Sequence, residues 1–328
     1  MIGGSNMAGS GEIILLSDDA LSGLGIGTGE VVEAIEAAIR AQAHGRVCTA
    51  PKSVILPGDG RYVMTTLSTS VHPGLTVVKS VTVGPRNADR GLKGIEGAII
   101  LHDSETGLLR AIMGSSWVTA ARTAGLSCVA AKRLANPNSS VIAFVGCGVE
   151  AHSHLDAFCD LFPLAEARAF GRGLANIERL CTSAQQKGLK SLACTSPQEA
   201  LDGADLVVSS VTISFDLKPF LNAHWLKPGA FAAITDQGTP WHPQGMDAFD
   251  TVIIDDLAQE RVSERKMVDP KLVDGDLAEL VIGESPTAYD ASKRAALIFR
   301  GLAIGDFAVA TLAYSRAMAG GKGSPATW

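Results

Sequence analysis

No Cys-x-x-Cys pair occurs in the chain: the six cysteines, Cys48, Cys128, Cys147, Cys159, Cys181 and Cys194, are scattered singly. That spacing argues against a zinc site or a disulfide framework and fits reduced thiols in a cytosol. A basic excess is missing too. Twenty-eight Lys and Arg stand against 34 Asp and Glu, a net charge of −6, so no positive field draws in nucleic acid or an anionic membrane. Small anions must instead be caught by a few local cations. No apolar run reaches the roughly 18 residues that span a bilayer. The Gly/Ser-rich start, Met1 to Gly11, has no basic stretch before an apolar one and reads as a loose tail. Gly-x-Ser-x-Gly and His-Glu-x-x-His are both absent, which removes serine-hydrolase and zincin chemistry. What is present is 46% hydrophobic and 19% charged over 328 residues, the composition expected of a soluble, cytoplasmic two-domain enzyme.

The patterning changes along the chain. Ile13 to Ser17 reads as a short strand, with Asp18 and Asp19 as caps of a following helix. Val31, Val32, Ile35, Ala38 and Ile39 recur at helical spacing, and Gly45 stops that run. Strand texture follows, from Ser53 to Leu56, Arg61 to Met64, Leu75 to Val83 and Glu96 to His102, separated by Pro-Gly and Gly-Asp-Gly turns, with Thr106-Gly107 turning one more hairpin. This half predicts an antiparallel sheet with a helix on it. After Ser115 an Ala-rich helix runs from Val118 to Leu134, and a βαβα rhythm begins with the apolar strand at Ser140 to Val145. Its further strands are expected at 165–170, 191–194, 205–209, 230–235 and 251–255, which predicts a doubly wound parallel sheet. A last long helix is expected over 291–317, and the domain boundary near Thr123 falls in a helix.

Three groups of residues carry chemistry. Gly146-Cys147-Gly148-Val149-Glu150-Ala151 follows a strand and opens a helix. Gly146 permits the tight turn, Gly148 admits a pyrophosphate to the backbone, and Ala151 lets helix and strand approach. Past the second strand, where a carboxylate would select NAD, stands Gly171-Arg172-Gly173; Arg172 favours NADP(H), with NAD(H) still open and a plain solvated arginine an equal reading. The third group is cationic. Lys79 lies inside an apolar strand, where it must snorkel or face a polar cavity. Arg122 is the one charge among small residues, with room to fork onto a carboxylate, and Lys52 is a weaker candidate. Taken singly, each cation is more often structural. His152 and His154, two apart on a helix, face different ways and are no metal pair. Asp255-Asp256 reads as a strand-end turn, and Trp241-His242 as a surface loop. No metal is expected.

The segments Thr119-Ala-Ala-Arg-Thr-Ala and Val145-Gly-Cys-Gly-Val-Glu-Ala-His-Ser-His resemble the ornithine cyclodeaminase/mu-crystallin family. Supporting pieces are the Lys79 strand leading to Pro85-Arg-Asn87, Asp103-Ser-Glu-Thr-Gly107, Ala204-Asp205, Trp225-Leu-Lys-Pro-Gly229 and Gly301-Leu-Ala-Ile-Gly-Asp306. The match runs in order from about Ile13 to Ala317. It implies a Rossmann-type sheet (residues 124–299) inserted in an α+β substrate and dimerisation domain (12–123 plus 300–320), and a homodimer. It also implies a pocket lined by Lys52, Lys79 and Arg122, and dinucleotide contacts from Gly146, Gly148, Val149, Glu150, Arg172 and Thr212. The sequence departs from the family where the cyclodeaminases carry an Asp two residues before a Pro: here Gly238 precedes Pro240, and Asp236 could stand in only with a remodelled loop. Met64-Thr65 replaces the family's Met-Pro, and the serine usual before the last Gly-x-Ala-x-x-Asp is not evident beside Phe299-Arg300.

These features together lead to an NAD(P)H-dependent reductase of a small cyclic imino acid, of the Δ1-pyrroline-2-carboxylate type. Arg122 and Lys52 would hold the carboxylate, Lys79 would bind it or relay a proton, and Asp236 is the candidate catalytic carboxylate. A cyclodeaminase-type lyase with bound NAD and a non-catalytic binding protein of the mu-crystallin type are the alternatives.

Overall fold

The computed structural model describes residues 11–214, 216–283 and 288–328, so the loose tail expected at the start lies, up to residue 10, outside the described residues. The chain opens with β1 (Glu12–Leu16), α1 (Asp18–Ser22) and α2 (Thr28–Ala43). It continues through β2 (Val47–Thr49), β3 (Ser53–Ile55), β4 (Tyr62–Ser70), β5 (Leu75–Val83), β6 (Ile95–Asp103) and β7 (Leu109–Gly114) into α3 (Ser115–Leu134). Alternation follows: β8 (Val141–Val145), α4 (Val149–Leu161), β9 (Glu166–Phe170), α5 (Leu174–Gln186), β10 (Lys190–Ala193), α6 (Pro197–Leu201), β11 (Leu206–Ser209) and β12 (Phe231–Ile234). Then come β13 (Thr251–Ile254), α7 (Leu257–Val262), β14 (Gly275–Asp276), α8 (Leu277–Ile282), β15 (Ala295–Ile298), α9 (Ala303–Ala319) and β16 (Ser324–Thr327). Two compact units result: unit 1 is Met1–Arg122 with Leu302–Trp328, and unit 2 is Thr123–Gly301. The division falls inside α3.

Unit 1 is built on a sheet in the order β16-β1-β7-β6-β5-β4-β2, with β3 also on β4. The expected antiparallel hairpins are there, but the sheet is mixed, because β1 lies parallel to β7 with Ile14 opposite Ala111. Strand alternation sends Leu75, Val77, Lys79 and Val81 of β5, Ile99 and Leu101 of β6, and Ala111 and Met113 of β7 to the buried side. Helix α9 lies against β4 and β5, and α2 against α9. The cap of α1 is Ser17, whose hydroxyl accepts from Ala20 N at 3.1 Å, not an aspartate. Asp18 is drawn elsewhere: its carboxylate accepts from Trp117 N at 2.8 Å and from Lys93 Nζ at 3.0 Å, tying down the start of α3.

Unit 2 is an all-parallel sheet in the order β10-β9-β8-β11-β12-β15-β13-β14. Its central strands are buried throughout, β11, β12 and β15 at every residue, as expected where helices cover both faces. One element overturns the sequence expectation. The single helix foreseen over 291–317 is in fact a strand, β15, followed by a helix that starts only at Ala303. Ala295–Ile298 is a four-residue apolar run, too short to show a period. It is taken into the sheet between β12 and β13, where Ala296 pairs with both Ala232 and Val252. Strand order reverses between β8 and β11, and ligands of such sheets bind outside the carboxyl ends at that reversal.

Candidate active site

In unit 1 the lysine inside the apolar strand finds its polar partner from the far end of the chain. Lys79 Nζ lies 2.6 Å from Asp306 Oδ1, both side chains at most 2% exposed. Arg122 Nε lies 3.1 Å from the same oxygen, and Thr66 Oγ1 donates to Asp306 Oδ2 at 2.9 Å. Thr66 stands directly opposite Lys79 in the β4–β5 register, so both point to the face that α9 covers. Burial alone would raise the Asp306 carboxyl; the charges of Lys79 and Arg122 outweigh it and hold the group below its usual value. Two cationic side chains therefore converge on one carboxylate in a buried site, and guanidinium and ammonium groups are the donors that bind carboxylates. Lys52 is placed differently: half-buried, with its ammonium 5.7 Å from the centre of the Tyr62 ring.

Asp306 closes one of the segments that carry the family resemblance, but the sequence reading gave it no role in the site. Its signal was present, a lone acid in the apolar turn Ala303-Ile-Gly-Asp-Phe-Ala-Val, the same kind of anomaly that singled out Lys79.

In unit 2 the glycine turn is placed at the reversal. Gly146 has φ +92, and a Cβ there would sit 2.6 Å from the carbonyl oxygen of Ser210, so only glycine fits. Gly148 is the N-cap of α4, with φ −87 and nothing within 4 Å of a Cβ position. That helix start has no side-chain cap. A helix start without a side-chain cap leaves its first backbone N–H groups to a ligand at the positive end of a 13-residue helix, the arrangement that accepts a phosphate. Val149 is 66% exposed and Glu150 half-buried. Arg172 is exposed beyond the tip of β9, and Thr212 is exposed just after β11. The residues present fit a dinucleotide's pyrophosphate. A pair of substitutions separates packing from binding. Gly146→Ala should lower stability by about 2 kcal/mol or more through strain and overlap. Gly148→Ala should leave the unfolding midpoint in place and weaken dinucleotide binding about tenfold; denaturant melts and a dinucleotide titration check both.

Asp236 follows β12 and is 1% exposed. Burial pushes its carboxyl up to about 6, against bonds from Ser209 and Val211 that pull it down. Trp241, expected in a surface loop, is instead 1% exposed, with Nε1 donating to Ser209 Oγ at 3.1 Å. The prolines around it make a tight loop that folds the ring inward, where indole area gains more from burial than the loop loses. His154 is buried and neutral: Nδ1–H donates to Glu150 O at 2.6 Å and Nε2 accepts from Ser127 at 2.9 Å, while burial pushes its pKa down to about 4. Asp255 is a strand-end group, accepting from the backbone of Arg300 and Gly301. Among the described residues no three His, Cys, Asp or Glu side chains could hold a metal ion, and no helix is long and apolar enough to cross a membrane.

Compared with known proteins, residues 22–321 match the model of the ornithine cyclodeaminase/mu-crystallin family. The chain belongs to this family. Within it, the chain is 30% identical to ketimine reductase mu-crystallin of Rattus norvegicus over 242 residues, 72% of this chain and 74% of the relative. Solved structures of the same fold include Δ1-pyrroline-2-carboxylate reductase of Thermococcus litoralis in complex with NADH and L-proline. That structure has a TM-score of 0.85 at 23% identity and covers 95% of this chain and 99% of its own. An archaeal alanine dehydrogenase dimer with bound NAD also has a TM-score of 0.85, at 24% identity over 97% of this chain and 99% of its own.

Proposed function

We propose that the protein is an NAD(P)H-dependent reductase of a small cyclic imino acid of the Δ1-pyrroline-2-carboxylate type, yielding the corresponding amino acid. The observation that carries this reading is the buried convergence of Lys79 and Arg122 on Asp306 in a family whose relatives include ketimine and pyrroline-carboxylate reductases. When bound, a reduced nicotinamide supplies the hydride for the imine carbon. Arg122 forks onto the substrate carboxylate, and Lys79, paired with Asp306, carries the proton that the imine nitrogen needs. Lys52 is an outer cation for the same carboxylate. Gly146, Gly148, Val149, Glu150 and Thr212 hold the dinucleotide.

A spectrophotometric screen of NADPH and NADH against five- and six-membered cyclic imino acids tests the reading. Dinucleotide should be consumed only when the imine is present. Ammonia and proline formed from ornithine without net NADH would replace it by a lyase, and dinucleotide binding without turnover by a storage protein. Arg172, exposed at the β9 tip, supports NADP(H) as the preferred form. Arg172→Ala should weaken NADPH about tenfold and leave NADH within twofold.

A homodimer completes the reading. On the face of the unit 1 sheet away from α9, Leu15, Ile112, Ile100, Val78 and Leu67 pair in one row across five strands. Leu15 is 39% and Leu67 43% exposed, and the other three are half-buried. Such a row is an apolar patch suited to a second copy. All six cysteines are free thiols, which supports a reducing, cytoplasmic setting.

A further inference from the structure

Imine reduction leaves the buried carboxylate of Asp236 with no proton to carry. Its bonds give it a different task. Ser209 Oγ donates to Asp236 Oδ2 in a short contact, and Val211 N donates to the same oxygen at 3.1 Å. Trp241 Nε1 donates to Ser209 Oγ at 3.1 Å, so the serine accepts from the indole and gives its own proton to the carboxylate. Trp241 is anchored in the core beside Phe249, ring centres 5.8 Å apart. The peptide held between Ser209 and Val211 is the one on which the glycine turn rests. A Cβ at Gly146 would lie 2.6 Å from Ser210 O and 3.1 Å from Val211 N, and Ser210 Oγ donates to Gly146 O at 3.2 Å.

We propose that Asp236 is a positioning residue for the dinucleotide turn: by holding Ser209 and Val211 it sets the Ser210 peptide against which Gly146 turns, and so the backbone from Gly146 to Gly148. The proposal rests on the dinucleotide reading of that turn. A buried carboxylate suits the task because bonds to a charged acceptor are the stronger ones, and no water competes for the same donors. Gln237, next in the chain, has φ +60, a backbone region that side chains other than glycine seldom adopt. The chain therefore bends sharply just after the carboxylate.

The test titrates NADPH and NADH into the wild type and into Asp236→Ala, Asp236→Asn and Trp241→Phe, and measures imine turnover at saturating dinucleotide. Asp236→Ala should weaken the dinucleotide about tenfold, while kcat and the imine KM stay within about twofold. Asp236→Asn, which keeps an acceptor, should recover most of that loss. Trp241→Phe, which keeps the ring and loses the N–H, should weaken binding about threefold. Unchanged dinucleotide affinity in Asp236→Ala and Trp241→Phe overturns the proposal, and so does a collapse of kcat with affinity intact, which would give the carboxylate a proton-transfer role. If Asp236→Ala does not fold, unchanged affinity in Trp241→Phe alone is decisive. A wild type that binds neither dinucleotide removes the assignment of the turn itself, a separate result from unchanged affinity in the variants.

Discussion

Arg122→Ala should raise the half-saturating imine concentration about 100-fold while leaving dinucleotide affinity within twofold. The size follows from what is removed. Arg122 is buried, and truncating one partner of a buried charged pair costs about 2–5 kcal/mol, or roughly 30- to several-thousand-fold in affinity. The selectivity follows from the division of labour between the units. Arg122 is bound to Asp306 within unit 1, whereas the glycine turn and the start of α4 lie in unit 2. Lys79 pairs with Asp306 at 2.6 Å independently of Arg122, so the cluster should keep one of its two ion pairs. Arg122→Lys should recover only part of the affinity, since an ammonium lacks the planar fork. Steady-state kinetics at saturating dinucleotide, with a parallel dinucleotide titration, decide the matter. An imine response equal to wild type would remove Arg122 from substrate binding.

Asp306→Asn should be the most destabilising polar substitution in unit 1. The amide matches the carboxylate in shape but removes the negative charge to which Lys79 and Arg122 are both paired, at 2.6 and 3.1 Å. Breaking a buried ion pair from one side costs about 3–5 kcal/mol, a large share of the stability of a domain. Urea melts measure it directly. The pH dependence follows in sign from the lowered carboxyl of Asp306. Its contribution is complete above the unfolded-chain value of about 3.9 and disappears as pH falls through the depressed folded value. The wild type should therefore lose this part of its stability in acid, and Asp306→Asn should lack that loss. Pairing the variant with Lys79→Met should return part of the deficit, because one of the stranded cations is then gone. An Asp306→Asn protein as stable as wild type at neutral pH would show that the cluster is not held by charge.

Several features are legible in the sequence because they are local. The period of Val31, Val32, Ile35, Ala38 and Ile39 announced α2, whose buried residues are these five. The glycine turn was readable from a strand, two glycines and a helix in succession, since the positive φ of Gly146 is a property of one residue and its neighbours. Lys79 was conspicuous as a charge where every second neighbour is apolar. Failures came where a local pattern has two solutions. Ala295–Ile298 suits a buried strand or a helix turn equally, and the vacancy between β12 and β13 made the choice. Trp241 sits among prolines that mark a loop, yet a loop can fold its largest side chain into the core.

By itself the amino-acid sequence determined the two kinds of sheet, the place of the glycine turn and the identity of the unusual cations, because periodicity, turn chemistry and misplaced charge act over a few residues. Only the tertiary structure decided which groups meet. Lys79 and Asp306 are 227 residues apart in the chain, and Trp241 reaches Ser209 across 32. Pairings of that kind are selected by the packing of whole elements, where a buried charge or donor must find its partner wherever the fold brings one, and no stretch of neighbouring residues contains that information.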